Sequence, residues 1–398
     1  MIFVAGFEPN NCNPEILSLL KRCSAVFASK RFQESLNGYS HRLRSIVPVK
    51  KMLEEIHELK KHGDVLVLAS GDPLFFGIGR RFLEHFERRE LTFLPSFTSV
   101  QRACARFGLP WDDMECVSLH GRNKRELRGL LKKILTNNRF KIAVFTDNKN
   151  SPDQIARRLM EKGLEDARFL VAEDMGGKYE AFWDLSIKEA SSKRFHPLNL
   201  LIIMGHHQRQ NMAFGLDEDS FAHEKGLITK AEVRSIILSR LGLSNAHALW
   251  DIGAGSGSVS IEASLLAPHL AIFSVEAKPE RCLHLYENKK RFLALNMEIV
   301  EGTAPGCLKG LPRPDRIFIG GGLSTDGLLE TCWDLLEPGG ILVGSTILIE
   351  SLDKAMTFSR KRNLEPEMVR IETSHARRLG TGTFFAPAPA ITLFRLCK

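Results

Sequence analysis

Short apolar runs alternate with amphipathic segments along the whole chain, most regularly in its second half. There, β-branched runs at 247–254, 272–278, 297–304, 316–322, 341–348, 368–374 and 389–397 read as strands. Helix-spaced segments such as 279–292 and 326–336 lie between them. Strands linked through helices form right-handed βαβ units, so this half predicts a seven-stranded, mostly parallel sheet covered on both faces. No convincing helix separates the last two runs, so the final strand is expected to return antiparallel. In the first half, strands are expected at 2–7, 24–28, 45–49, 64–70, 90–95, 115–119, 141–147, 167–173, 179–187 and 198–205, with helices at 50–62, 99–107, 124–136 and 153–163. Beyond residue 165 these strands come without long helices, which predicts two α/β lobes, the second more antiparallel.

Length then sets the organisation. A chain of 398 residues exceeds the usual single domain. The polar, low-periodicity stretch 207–222 is the best linker, giving domains at 1–206 and 223–398. The first residues enter a strand-like run with no basic leader, and no apolar stretch approaches the roughly 18 residues of a membrane span. The eight scattered cysteines form no C-x-x-C pair, which fits a reduced cytoplasmic protein without a metal site. The net charge of +8 is uneven: residues 1–210 hold 34 Lys and Arg against 25 Asp and Glu, and the remainder is near neutral. The basic run through Arg122, Lys124, Arg125, Arg128, Lys132 and Lys133 is either a solvated helix face or an attractor for an anionic partner.

Candidate chemistry gathers at strand ends. WDIGAGSGSVSIEA (250–263) runs from a strand through three alternate glycines into a helix, the usual setting of a nucleotide. It does not fit the dinucleotide fingerprint well, because the third small position falls on Ser258 or Ser260. Its pattern is Asp251, Gly253, Gly255, Gly257, and Glu276 ends the next strand, where an acid can accept ribose hydroxyls. Gly302, Thr303 and Ala304 follow the third strand, and a glycine triplet that includes Gly321 ends the fourth. This order resembles the class I S-adenosylmethionine-dependent methyltransferases, which have a Rossmann-like fold. The resemblance implies cofactor contacts at Asp251, Gly253, Gly255, Gly257, Glu276, Gly302, Thr303 and Ala304, with Gly321 beside a bulky, flat substrate. With GLITKAEVRSIILSRLGL (226–243) and VEGTAPGCLKGLPRPDRIFIGGG (300–322), the half is similar to the decarboxylating precorrin C15-methyltransferase domain. That likeness places Thr229 and Lys230 at the cofactor mouth; simple helix entry with Thr229 as cap is the equal alternative.

In the first half, LASGDPLFFGIG (68–79), PSFTSVQRA (95–103), SLHGR (118–122) and FTDNKNSPDQIARRL (145–159) together resemble the tetrapyrrole methylase family. That is a different, two-lobed fold, which also binds S-adenosylmethionine. The resemblance implies a second cofactor site at Gly6, Gly71, Asp72, Pro73, Thr98 and Ser99, with His120 and Arg122 facing substrate as in C5-methyltransferases. One departure stands out: the family's Gly-x-Gly-Pro-Gly loop reads Gly6-Phe7-Glu8-Pro9-Asn10, placing an acid beside the cofactor.

The pairing resembles the fused, decarboxylating precorrin C5,15-methyltransferases of cobalamin biosynthesis. It implies one S-adenosylmethionine site per domain, a corrinoid substrate, no metal, no nucleic-acid or membrane partner, and a homo-oligomer by analogy. Arg122, Arg125, Arg128, Arg377 and Arg378 are candidate grips for its carboxylates. Three alternatives remain at this point: a tRNA adenine methyltransferase, an NAD-dependent oxidoreductase, and a corrinoid carrier whose N-terminal half lost catalysis through Glu8.

Overall fold

The computed structural model describes the chain apart from residues 9–12, 33, 120–126, 210–213 and 225 and the side chains of Arg31 and Glu34. His120, Arg122 and Arg125 therefore lie outside the described residues, as do Pro9 and Asn10.

The first lobe is built from β1 (Ile2–Gly6), α1 (Pro14–Arg22), β2 (Ala25–Ala28), β3 (Leu43–Ser45), α2 (Val49–Leu59), β4 (Val65–Ala69), α3 (Gly79–His85), β5 (Leu91–Leu94) and α4 (Ser99–Phe107). Its sheet, in the order β3-β2-β4-β1-β5, is wholly parallel. Local chemistry sets the helix starts. Asn13 caps α1 by accepting from the Glu15 amide, and Thr98 and Gln101 form a reciprocal capping box on α4. The strand expected at 45–49 instead occupies Leu43–Ser45, because Pro48 serves as the N-cap from which α2 begins.

The second lobe follows with β6 (Glu115–Ser118), α5 (Leu127–Thr136), β7 (Arg139–Phe145), α6 (Pro152–Lys162), β8 (Arg168–Glu173), β9 (Ala181–Ser186), α7 (Ile187–Ser192) and β10 (Asn199–His206). Its order is β6-β7-β10-β8-β9, with β10 antiparallel to both neighbours and β8 antiparallel to β9, the more antiparallel lobe expected.

The second half comprises α8 (Ala231–Leu241), β11 (Ala248–Ile252), α9 (Ser258–Leu266), β12 (Ala271–Glu276), α10 (Pro279–Arg291), β13 (Met297–Glu301), β14 (Arg316–Ile319), α11 (Leu328–Leu335), β15 (Ile341–Thr346), α12 (Ile349–Lys361), β16 (Glu367–Ile371), β17 (Ser374–Leu379), β18 (Gly382–Pro387) and β19 (Ile391–Cys397). Six strands share one direction and β19 alone runs against them, in the order β13-β12-β11-β14-β15-β19-β16. The seven-stranded, mostly parallel sheet and its antiparallel last strand are as expected. The β17–β18 hairpin was not expected. It carries Arg377 and Arg378, and its strand residues are almost all exposed, so no burial pattern marks it.

The segment after β10 is tied down by charge. Arg234 of α8 and Glu262 of α9 are fully buried and paired at 2.7 Å. Glu262 also accepts the amides of Gly215 and Leu216, while Arg234 donates to the carbonyls of Thr229 and Leu216. Asn288 of α10 holds Ala222 through both its amide and its carbonyl, and donates to the Ser256 carbonyl.

The halves meet at the starts of the second half's parallel strands. Leu295, just before β13, is buried in the apolar core of the second lobe. The buried Arg209 guanidinium donates to the Ser264 carbonyl at 2.6 Å and to that of Leu135. Lys162 pairs with Glu298, and Arg128 reaches the His247 carbonyl.

Removing one partner of the Arg234–Glu262 pair leaves an uncompensated buried charge. Arg234→Met is expected to cost about 3–5 kcal/mol, and adding Glu262→Leu should recover part of it. Urea denaturation of the three proteins checks this; equal stability of Arg234→Met and wild type would contradict it.

Candidate functional site

In an open parallel sheet, ligands settle where strand order reverses, outside the carboxyl ends. Here that point lies between β11 and β14, and the glycine loop follows β11 directly. All three of its glycines sit at positive φ, and two of them meet a steric demand besides. A Cβ on Gly253 would stand 2.7 Å from the Gly321 amide nitrogen, so the loops after β11 and β14 touch backbone to backbone. A Cβ on Gly257 would meet Leu285 at 2.5 Å, a core constraint. Gly255 has φ +58, yet a Cβ there would meet nothing within 4 Å. Its demand is conformational, and the space over it is open.

Two carboxylates stand at these strand ends, Glu276 bonded to Gly255 and Asp251 buried. Glu276 is fixed by backbone: one oxygen accepts the Gly255 amide at 2.8 Å, and the other accepts those of Ala277 and Lys278 at 3.0 Å. Asp251, buried at the end of β11, accepts the Ser260 hydroxyl, which also bonds Ser274 at 2.6 Å. Its second oxygen is buried without a protein partner. Burial pushes the Asp251 carboxyl up to about 6. A buried acceptor without a partner calls for a donor.

Of the remaining expected residues, Gly302 donates to the Glu276 carbonyl at 2.9 Å, bringing the β12 and β13 ends together. Thr303 is exposed and Ala304 half-buried on the adjoining core. Thr229 does not cap α8; Lys230 is the N-cap residue, its ammonium paired with Glu218. Thr229 instead enters through its carbonyl, which Arg234 holds.

In the first lobe, the ends of β1, β4 and β5 converge. A Cβ on Gly6 would lie 2.3 Å from the Gly71 carbonyl oxygen and 2.5 Å from Ser96 Cβ. Gly71, at φ +67, rests on Phe97, Thr98 and Ser99. Asp72 accepts the Leu74 amide at 2.8 Å and so shapes the turn before α3. Pro73 gives its carbonyl to Gly79, and a Cβ on Gly77 would stand 2.5 Å from it. The Thr98 hydroxyl oxygen is engaged in its capping box. Ser96 donates to Glu8 at 3.3 Å, which puts that carboxylate among the strand ends.

Sequence reasoning missed two groups. One is aromatic: Phe75 and Phe76 of the first lobe stand 6.1 and 5.0 Å from Phe145 at the end of β7, spanning the gap between lobes. Phe76 is 52% and Phe97 59% exposed, and Phe76 sits at φ +54. Adjacent phenylalanines in a turn were the available signal. The other group is Arg234, Glu262 and Asn288, which brace the glycine loop's helix; a lone acid inside the apolar run SIEASLL marked it. Of the arginine grips, Arg128 lies at the junction between halves, away from the strand ends.

Comparison with known proteins places both halves. Residues 8–191 match the Tetrapyrrole (Corrin/Porphyrin) Methylases model, and 219–398 match the Precorrin methyltransferase domain. A Precorrin-6Y C(5,15)-methyltransferase [decarboxylating] from Sinorhizobium sp. is 32% identical, covering 96% of this chain and 92% of its own. Its namesake from Mycobacterium tuberculosis H37Rv is 30% identical over 96% of this chain and 95% of its own. A Cobalt-precorrin-6B C(15)-methyltransferase (decarboxylating) from Salmonella typhimurium is 37% identical, covering 43% of this chain and 89% of its own.

The raised Asp251 carboxyl has a consequence for stability. Between its ordinary value of 3.8 and about 6, the folded protein keeps a proton that the unfolded chain releases. Its contribution is therefore full below about pH 4 and is lost as pH rises through about 6. Relative to Asp251→Asn, the wild type should lose on the order of 3 kcal/mol between pH 4 and 7. Urea denaturation at both pH values reads this, and a pH-independent difference between the two proteins would contradict it.

Proposed function

We propose, for a chain that belongs to the decarboxylating precorrin-6Y C(5,15)-methyltransferase family, that it methylates a precorrin or cobalt-precorrin at C5 and C15 in cobalamin biosynthesis. The second half methylates C15 and drives loss of the ring-C acetate carboxyl, and the first half methylates C5. What supports this most is that both halves align at once with one relative of nearly the same length.

Each domain holds its own S-adenosylmethionine. When bound, it supplies a methyl group on a sulfonium, whose C–S bond breaks onto sulfur as the new bond to the ring carbon forms. The residues fit such a cation. Glu276, its oxygens fixed by three amides, is positioned to accept from ribose hydroxyls without reorganising. Asp251 offers its unpartnered oxygen to a donor. The contact between Gly253 and Gly321 keeps the loop after β14 close to the cofactor loop while leaving room for a flat ring. Catalysis here is placement of two reactants, which can supply much of the rate. The carboxyl leaves as carbon dioxide, its bonding electrons enter the conjugated macrocycle, and a proton takes its place.

In the first half, Gly6, Gly71, Asp72, Pro73, Thr98 and Ser99 form the cofactor loops, and Phe75, Phe76, Phe97 and Phe145 offer faces to the macrocycle. Arg377 and Arg378 serve its carboxylates at the other site. Their hairpin joins the end of β16 to the start of β19, level with the end of β15, the edge that also carries the glycine loop. Glu8 among the strand ends favours one second reading, in which the first half binds corrinoid without methylating it.

Mass spectrometry of a precorrin-6-type substrate incubated with the chain and S-adenosylmethionine tests both. Two methyl gains with one loss of carbon dioxide support the full reading; one methyl gain with that loss supports the second. Glu276→Ala should abolish the C15 methyl and weaken S-adenosylhomocysteine binding by at least about tenfold at that site while C5 methylation persists. Phe76→Ala should raise KM for corrinoid at C5 several-fold, about 0.5–1.5 kcal/mol, with cofactor affinity unchanged. Equal weakening of both in steady-state kinetics and calorimetry would remove its role in ring binding.

A further inference from the structure

Both sites lie at strand ends that face away from the contact between domains. In the second half, the glycine loop follows β11, whereas the residues meeting the first half are His247 before β11, Leu295 before β13, and Ser264 near the far end of α9. In the second lobe, Phe145 closes β7 on the cleft side. Asn138, just before β7, bonds the His207 amide in the segment that carries the buried Arg209 to Ser264. Each site thus stands a strand length from the junction, about 13 Å along β11 and about 20 Å along β7.

Among the described residues, nothing at the junction connects the two sites. Leu295 and Arg209 fill it, and the pairs Lys162–Glu298 and Lys290–Glu165 rim it. A cavity of about 390 Å³ there is lined by Arg128, Ser244, Asn245, Ala246, His247 and His269, and none of the cofactor-loop residues of either site borders it. A macrocycle leaving one site would have to cross a sheet and its helices to reach the other from within.

We infer that the corrinoid leaves the chain between its two methylations and reaches the second site through solvent, so the fusion joins two enzymes without a channel. Tethering raises effective concentration only where geometry lets the second encounter follow the first, and opposed openings forfeit that gain. This rests on the two-methylation reading, and its test separates the two.

Wild-type chain is given isotope-labelled precorrin, S-adenosylmethionine and a tenfold excess of unlabelled singly methylated corrinoid. That compound comes from whichever of the Glu276→Ala and Gly71→Val chains accumulates it. Label in the doubly methylated product is expected to fall about tenfold, as a free intermediate requires. Undiluted label would overturn the inference while leaving the methylation reading intact, and absence of any methyl gain would overturn both. Mixing the two variant chains is a second arm. Restored double methylation supports release; its absence, with both chains folded and one methyl added by the first-acting domain, overturns it.

Discussion

The buried pair of Arg234 and Glu262 organises the second half. Two charges with no solvent exposure must satisfy each other and every remaining lone pair or proton, or the fold loses several kcal/mol. They do so by recruiting backbone: Glu262 takes the amides of Gly215 and Leu216, and Arg234 takes the carbonyls of Leu216 and Thr229. The polar stretch after β10 is thereby fastened to α8 and α9. Because α9 starts at the glycine loop, the same pair fixes the helix against which that loop is set. Asn288 repeats the device one helix over, joining Ala222 to Ser256.

On that frame, the glycine loop works because its residues answer to different constraints. All three need a positive φ; Gly253 yields to backbone as well, Gly257 to the core, and Gly255 to conformation alone. Of the three, Gly255 is the one whose added Cβ would meet no described atom within 4 Å, and its amide fixes Glu276. A motif that reads as one pattern in sequence is thus two packing requirements around one binding requirement. The first lobe reaches a similar result by convergence, with Gly6 and Gly71 allowing three strand ends to close together.

Much of this was legible in the sequence. Parallel strands buried on both faces leave unbroken apolar runs such as VLVLA, and their ends carry glycine and acid, so the sheet and most loop positions follow from pattern. The β17–β18 hairpin did not, since exposure on both faces leaves no alternation to read. The strand at 43–45 was displaced because apolar residues after it belong to the entry of α2. Arg234, Glu262 and Phe145 act through partners distant in sequence, and such pairing is visible only once the chain is folded.

The way the halves join follows from where their chemistry sits. A parallel sheet has one end that must stay open to ligand and another that carries only strand starts. Apolar surface such as Leu295 can be buried at the second end without obstructing the first. Joining two such domains without blocking either site therefore favours contact through the closed ends. Arg209, sealed between the second lobe and α9, makes that contact specific, because displacing it would strand a buried guanidinium without its carbonyls. The back-to-back arrangement is the one in which neither cleft is sacrificed to the fusion.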